Sequence, residues 1–434
     1  MKGGYKMKSV KEIAALAKQS SFLLGALSAQ ARREALIAIL KALTDSKQDI
    51  VAANEADMEA AVEAGLPGPL LDRLHFDDAH ITDTLKGIED LISMDDMVGA
   101  ELEVKELDSD LLLKKVTAPI GVIGIIFEAR PDALVQIAAL CIKSANAVIL
   151  KGGSEAEKTN GLLTQIIENA GLSAGLPKGF ISLITTRTET SEMLQCHESI
   201  NLIIPRGSNE FVRYIMDTSQ IPVMGHSDGI CHVYIDKDAD LDLALTLVFD
   251  SKTQYVAACN AVETLLVHKD IAAEALPLIE KELSKKDVEI RAFGDAAEYL
   301  SGSVAATEQD FATEYLDLII TVALVEDIDE AINHINSYGS HHTDSIISKD
   351  EAAIKRFFAG VDSAGVYANC STRFADGYRY GLGAEVGIST GKLPPRGPVG
   401  IEGLLTYKYE LRGNGNIVAD YSSGKKSFHF KRLS

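Results

Sequence analysis

The sequence predicts an α/β protein on three observations. From about residue 111 short β-branched runs alternate with helical segments, a second series of the same kind follows Asp240, and the first hundred residues carry helical periodicity alone. Strand and helix in strict succession require parallel strands joined by crossovers, so each sheet is covered on both faces. Ligands of such sheets are expected at the carboxyl ends of the strands.

Each element follows from local pattern. Leu36, Ile39, Leu40 and Leu43 recur at the spacing of a helix with one buried face, and Pro67-Gly68-Pro69 interrupts that helical series. The first α/β series reads as strands over 122–127, 147–150, 180–184, 202–204 and 231–235, with helices over 133–143 and 155–170. The second reads as strands over 264–267, 318–325, 345–348 and 365–367, with helices over 271–283 and 328–335. Two consecutive blocks predict two domains facing one cleft. The last thirty residues, with Arg412-Gly413-Asn414-Gly415-Asn416 and Lys425-Lys426, read as an extended polar tail suited to pairing with another chain.

Composition narrows the function. The 434 residues, 46% hydrophobic and 24% charged, suffice for two or three domains at roughly 150 residues each, which excludes a disulfide-stapled miniprotein or a disordered tail. Lys and Arg number 42 against 63 Asp and Glu, a net charge of −21, so neither nucleic acid nor an anionic membrane is an expected partner. The five cysteines are odd in number and never form C-x-x-C, which argues against a disulfide framework and a structural zinc site and favours a reducing cytoplasm. The longest apolar run, 118–127, is ten residues against the ~20 a membrane span needs. Residues 21–31 imitate a secretory signal, yet Glu12 and Lys18 fall as the polar face of an amphipathic helix; residues 1–6 read as a leader before Met7.

Neither G-x-G-x-x-G after a strand nor a Walker sequence occurs. Instead Val148-Ile149-Leu150-Lys151-Gly152-Gly153-Ser154-Glu155 places a cation and backbone N–H groups where a strand ends, and Ile203-Ile204-Pro205-Arg206-Gly207-Ser208-Asn209 repeats the arrangement. Such turns suit a nucleotide's ribose and phosphates. Among the thiols, Cys141 and Cys231 fall in apolar patterns, and Cys196 adjoins His197 but points away from it. Cys259 lies among small residues in Tyr255-Val256-Ala257-Ala258-Cys259-Asn260-Ala261, where a carbonyl can approach the sulfur, while Cys370 has Arg373 nearby; local chemistry leaves both open. His226 and His341-His342 show no metal-ligand spacing, so no metal is expected. Arg373, Arg379, Lys392 and Arg396 concentrate among glycines in an otherwise acidic chain, as recognition of a small polyanion requires.

Together these stretches resemble the γ-glutamyl phosphate reductases (glutamate-5-semialdehyde dehydrogenases) of the aldehyde dehydrogenase superfamily. The likeness is carried by residues 147–155, Pro205-Arg206-Gly207-Ser208, Cys259-Asn260-Ala261, and the block from Ser371-Thr372-Arg373 to Arg396-Gly397-Pro398-Val399-Gly400. The resemblance implies a Rossmann-type cofactor domain over 1–104 and 117–230, an α/β catalytic domain over 231–410, and an oligomerisation hairpin and tail over 105–116 and 411–434. It implies Cys259 as nucleophile, Cys370 standing where a small residue is usual. Lys151 and Glu155 fall where the superfamily contacts the adenosine ribose, Ser208 with Gly207 before it at the pyrophosphate, and Glu314 near the nicotinamide ribose. Tyr255-Val256-Ala257-Ala258 departs from the family's approach to the Cys. The superfamily's oxyanion Asn has no counterpart, so the Cys259 N–H with Asn260 or Arg130 is expected to serve.

The carboxylate with which aldehyde-oxidising members activate water is missing, since 223–233 offers only Asp228. A reductase that delivers hydride to its thioester gains by excluding water. The expectation is therefore reduction of L-glutamyl 5-phosphate by NADPH to L-glutamate 5-semialdehyde and phosphate, the second step of proline biosynthesis. Arg373 and Arg396 would hold the substrate's anionic groups, with Ser371 and His342 beside them. The preference for NADPH rests on the resemblance alone. A homo-oligomer, functionally coupled to a glutamate 5-kinase, is expected. The rivals are a hydrolytic NAD(P)-dependent aldehyde dehydrogenase acting on a small aldehyde and a nucleotide-binding regulatory protein.

Overall fold

The computed structural model describes residues 9–128, 130–226, 228–382, 385–393 and 395–433. The leader reading of residues 1–6 lies outside them. The chain forms two units, one comprising residues up to 207, 213–224 and 399 onward, the other 208–212 and 225–398.

The first unit begins with helices Val10–Ala26, Ala29–Asp45, Lys47–Glu63 and Asp78–Ser93. Ser9 opens the series with a reciprocal cap, accepting from the Glu12 N–H while the Glu12 carboxylate accepts from the Ser9 N–H. Leu36, Ile39 and Leu43 are buried as their spacing requires. The short helix Gly68–Leu74 begins directly after Pro67, whose ring fixes the backbone at its start.

The first unit's parallel sheet runs in the order Ile181–Ile184, Ala147–Lys151, Val122–Phe127, Leu202–Arg206. All six residues of Val122–Phe127 are buried, the mark of a strand covered on both faces. A separate antiparallel sheet orders Leu405–Arg412, Leu111–Pro119, Glu101–Asp108 and Lys431–Arg432. The residues expected as an extended tail thus include a strand folded onto the unit's own hairpin and a short helix, Val418–Ser422.

The second unit is built on a seven-stranded parallel sheet. Its order is Val304–Ala305, Glu289–Ala292, Ile319–Val325, Val262–His268, Cys231–Ile235, Thr343–Ile347, Gly365–Ala368. Successive side chains alternate between faces. Val233, Ile235, Leu265 and Val267 therefore join one core with the helices Leu241–Thr253 and Ala272–Leu283. Tyr234, Leu266 and Ala323 join another, with Ile328–Tyr338 and Glu351–Gly360.

Several elements begin a residue or two from where the pattern placed them, as Val262–His268 does against 264 and Pro131–Lys143 against 133, and two more stand out. The strand read as 345–348 is Thr343–Ile347, because buried polar residues enter it: Asp344 accepts from the His232 N–H at 2.7 Å and the Ser363 hydroxyl at 2.5 Å. The helix read from 155 starts at Glu157, preceded by a tighter turn over Ser154–Ala156.

Candidate active site

Cys259 occupies the turn between the helix Leu241–Thr253 and the strand Val262–His268. Residues 226–230 lead into the adjacent strand Cys231–Ile235, and His341-His342 into the next, Thr343–Ile347. Sheet order thus gathers three segments at the amino ends of neighbouring strands, whereas the carboxyl-end expectation describes the glycine turns of the first unit. One ring nitrogen of His226, one of His342 and the Cys259 sulfur lie within 4.8 Å of one another.

The turn is held closely. Gly229 approaches so near that a Cβ there would stand 2.0 Å from the Cys259 carbonyl oxygen and 2.4 Å from its Cα. The Cys231 thiol donates to the Cys259 carbonyl at 3.3 Å. The Asn260 carbonyl accepts from the Thr372 hydroxyl at 2.7 Å, and the Asn260 side-chain amide donates to the Ala375 carbonyl at 2.8 Å. Asn260 thus ties the thiol turn to residues 371–375, while its buried Oδ1 has no partner. Behind the turn, Lys252 and Glu263 form a fully buried ion pair at 2.6 Å. Burial pushes the Glu263 carboxyl up to about 7 against the pull of Lys252.

The imidazoles differ in what they offer. His226 donates from Nδ1 to the Ile388 carbonyl at 2.9 Å, since a carbonyl can only accept; Nε2 then carries the lone pair. His342 is buried, with Nδ1 3.0 Å from the Thr343 hydroxyl and Nε2 without a partner. Their rings meet edge to face with centroids 5.0 Å apart.

Cys259 is partly exposed, while Cys141, Cys196 and Cys231 are buried. Burial pushes Cys141 up to about 12 and raises Cys196, Cys231 and Cys370 as well, so each of those four is disfavoured as a thiolate.

Arg373 is buried, and its Nε donates to the Gln254 side chain at 2.9 Å. Burial and the charge of Arg379 lower its pKa, and Cys259 lies close enough to oppose them. Ser371 accepts from the Ser251 hydroxyl at 3.1 Å and the Arg373 N–H at 3.2 Å, fixing the segment that carries the guanidinium. Arg396 is engaged by the Asp362 carboxylate at 3.1 Å, and Lys392 pairs with the same aspartate at 2.6 Å. Asp362 also receives the His341 ring on its carbonyl at 2.6 Å, which anchors this cationic segment beside the His341-His342 turn. Glu314 accepts from the Asn209 amide at 2.5 Å and from the Gly229 N–H, and burial raises its pKa. Asp228 accepts from the same Asn209 amide at 3.2 Å.

In the first unit, Lys151 ends its strand half-buried, and burial lowers its pKa against the pull of Glu155 and Glu128. Gly152 and Gly153 follow. A Cβ on Gly152 would meet the Asn160 amide nitrogen at 2.2 Å, and one on Gly153 the Glu155 carboxylate at 1.8 Å. A small open depression lies here, lined by Gly152, Gly153, Ser154, Asn160 and Thr185 among others. The buried Asn160 side chain has no partner at either polar atom. A cationic glycine turn with an unsatisfied amide beside it fits the ribose and phosphate portion of a nucleotide cofactor. Gly207 and Ser208 are exposed after the strand Leu202–Arg206. Arg130 is exposed at the start of the helix Pro131–Lys143 and pairs with Asp132 at 3.0 Å.

Residues 5–310 match the model of the aldehyde dehydrogenase family. The chain belongs to that family. Its relatives within the family include the γ-glutamyl phosphate reductase of Acetivibrio thermocellus, 53% identical over 98% of this chain and 99% of the relative. The γ-glutamyl phosphate reductase 1 of Synechocystis sp. is 51% identical over 95% of each chain. The crystal structure of γ-glutamyl phosphate reductase from Thermotoga maritima superposes with a TM-score of 0.92 at 37% identity, covering 94% of this chain and all of that one. An acetylating aldehyde dehydrogenase from Geobacillus thermoglucosidasius shares the fold at 18% identity, with a TM-score of 0.64 over 94% of this chain and 97% of the other.

For this member of the aldehyde dehydrogenase family, the structure adds residues that local reasoning passed over. His226 stood unassigned because no spacing links it to Cys259. Gly229 gave a usable sign, a glycine following Asp228 just before a buried strand, but only the fold shows which backbone it admits. Asn160 falls inside a helix and carries no local sign, whereas Asn209 opens the helix that follows the Pro205-Arg206-Gly207-Ser208 turn.

Proposed function

We propose that the chain is an acyl-phosphate reductase, converting L-glutamyl 5-phosphate and NADPH to L-glutamate 5-semialdehyde, phosphate and NADP. The observation that carries this reading is the partly exposed Cys259 thiol beside two imidazoles and near the buried Arg373. The printed names of the relatives support the same substrate.

In the first step the Cys259 proton passes to His226 Nε2, whose tautomer the Ile388 carbonyl fixes. The thiolate attacks the C5 carbonyl carbon, a C–S bond forms, and the C–O bond to phosphate breaks, the phosphate taking a proton from solvent. Arg373 faces the anionic substrate, and the Cys259 N–H stabilises the carbonyl oxygen as its charge grows. A reduced nicotinamide, when bound, would supply the hydride that the thioester carbon accepts. The resulting thiohemiacetal oxyanion collapses, the C–S bond breaks, and the aldehyde leaves with the Cys259 thiolate restored. Lys151, Glu155 and the Gly152-Gly153 turn would hold the adenosine ribose, and Gly207-Ser208 the pyrophosphate. Asp228 and Glu314 are both engaged by Asn209, which supports a site where water is not activated. Exposed Tyr407, Tyr409 and Leu411 on the edge strand Leu405–Arg412 support association with a second copy. Among the described residues no helix is long and apolar enough to cross a membrane.

The test is the reverse reaction. Semialdehyde oxidation with NADP should require inorganic phosphate and vanish in Cys259→Ala. Oxidation independent of phosphate would replace this reading with the hydrolytic dehydrogenase, and an active Cys259→Ala would remove the nucleophile.

A further inference from the structure

The thiol and the two imidazoles beside it also form a donor set for a metal ion, a use the reduction does not make of them. One ring nitrogen of His226, one of His342 and the Cys259 sulfur converge within 4.8 Å of one another. The set is not an accident of surface crowding. His342 is 1% exposed, its Nδ1 lies beside the Thr343 hydroxyl, and its Nε2 has no partner, so a buried imidazole nitrogen is left seeking one. The bond from His226 Nδ1 to the Ile388 carbonyl both orients that ring and leaves Nε2 with its lone pair, the support that metal-bound imidazoles commonly have.

We propose that His226, Cys259 and His342 form a site for a thiophilic divalent cation, zinc in particular, which caps the Cys259 thiol. Two imidazoles and one thiolate are ligands zinc accepts in a tetrahedron, with Zn–N about 2.0–2.1 Å and Zn–S about 2.3 Å, so that ligand atoms stand about 3.5 Å apart. The cluster reaches this by closing at most about 1.3 Å at its widest, within the range of side-chain rotation. The fourth position is left for water. Binding converts Cys–SH and Zn²⁺ to Cys–S–Zn⁺ with release of one proton to solvent, and nothing is oxidised or reduced. Zinc would then hold the sulfur against acylation. That inhibitory consequence rests on Cys259 being the nucleophile; the metal site itself does not. No local spacing marks the site, because its ligands precede three different strands and meet only through sheet order.

The experiment uses the full chain, stripped with a chelator and assayed with zinc alone, without substrate or nucleotide. Competition against a chromogenic zinc chelator should show one zinc per chain, and both Cys259→Ser and His342→Asn should weaken it at least about tenfold. Iodoacetamide should alkylate Cys259 at least about tenfold more slowly in the zinc-loaded chain. A readout that needs no variant is cobalt in the unmodified chain, which should give a sulfur-to-cobalt charge-transfer band. The trio of exposed His75 and His80 with half-buried Asp77 is the competing location among the described residues, and His80→Ala should leave the stoichiometry unchanged. The proposal is overturned if no zinc is retained, if Cys259→Ser binds as tightly as the unmodified chain, if the cobalt band is absent, or if His80→Ala abolishes binding. Zinc bound as described with turnover intact would uphold the site and instead remove Cys259 as nucleophile.

Discussion

Replacing Gly229 with alanine tests whether the position of the thiol turn sets the rate. The added methyl would stand 2.0 Å from the Cys259 carbonyl oxygen, where ordinary contact begins at 3.4 Å, so the two backbones must part by about 1.4 Å. Neither group is a flexible side-chain end that can swing aside. The Cys231 thiol, the Thr372 hydroxyl and the Asn260 amide hold the turn from other directions, so movement loosens those bonds too. A displacement of about 1 Å at a reacting centre costs on the order of 10²-fold, equivalent to about 2.7 kcal/mol of barrier. The assay is kcat/KM for phosphate-dependent semialdehyde oxidation, with circular dichroism to show the variant folded. Folded Gly229→Ala within threefold of the unmodified enzyme would refute the argument that this close approach positions the sulfur.

Three further outcomes follow from the structure. Lys252→Met strands Glu263 without its buried partner and should cost about 3–5 kcal/mol in denaturant unfolding, much of it recovered when Glu263→Leu is added; a loss under about 1 kcal/mol contradicts the pairing. His334 packs against Phe311 and Tyr338, and burial lowers its pKa to about 3 from 6.5, so the folded state binds fewer protons than the unfolded across that window. Stability from this group is complete above pH 6.5 and falls as pH drops, by about 2 kcal/mol at pH 5, and urea titrations should show the slope reduced in His334→Phe; equal acid sensitivity in both proteins would count against it. Gly153→Ala would drive the Glu155 carboxylate aside from 1.8 Å and should raise KM for the nucleotide several-fold at unchanged melting temperature. An unaltered KM would separate Glu155 from cofactor binding.

The buried strands were legible because burial leaves a local signature. All six residues of Val122–Phe127 and the core-facing alternation through Cys231–Ile235 could be read from neighbouring side chains. The glycine turn after Lys151 was legible for the same reason, as a strand that runs out into small residues. Where polar groups satisfy one another inside the fold the pattern misleads, as at Asp344, which enters its strand because His232 and Ser363 donate to it.

By itself, then, the sequence determined the α/β class, its central strands and a reactive-thiol candidate within a run of small residues. Tertiary structure alone decided that Val262–His268 lies beside Cys231–Ile235 and that strand beside Thr343–Ile347, which brings His226 and His342 to Cys259 and admits Gly229 against its backbone. The reason is physical: periodicity records whether a residue is buried, a property of a few neighbours, whereas strand order depends on contacts between segments far apart in the chain.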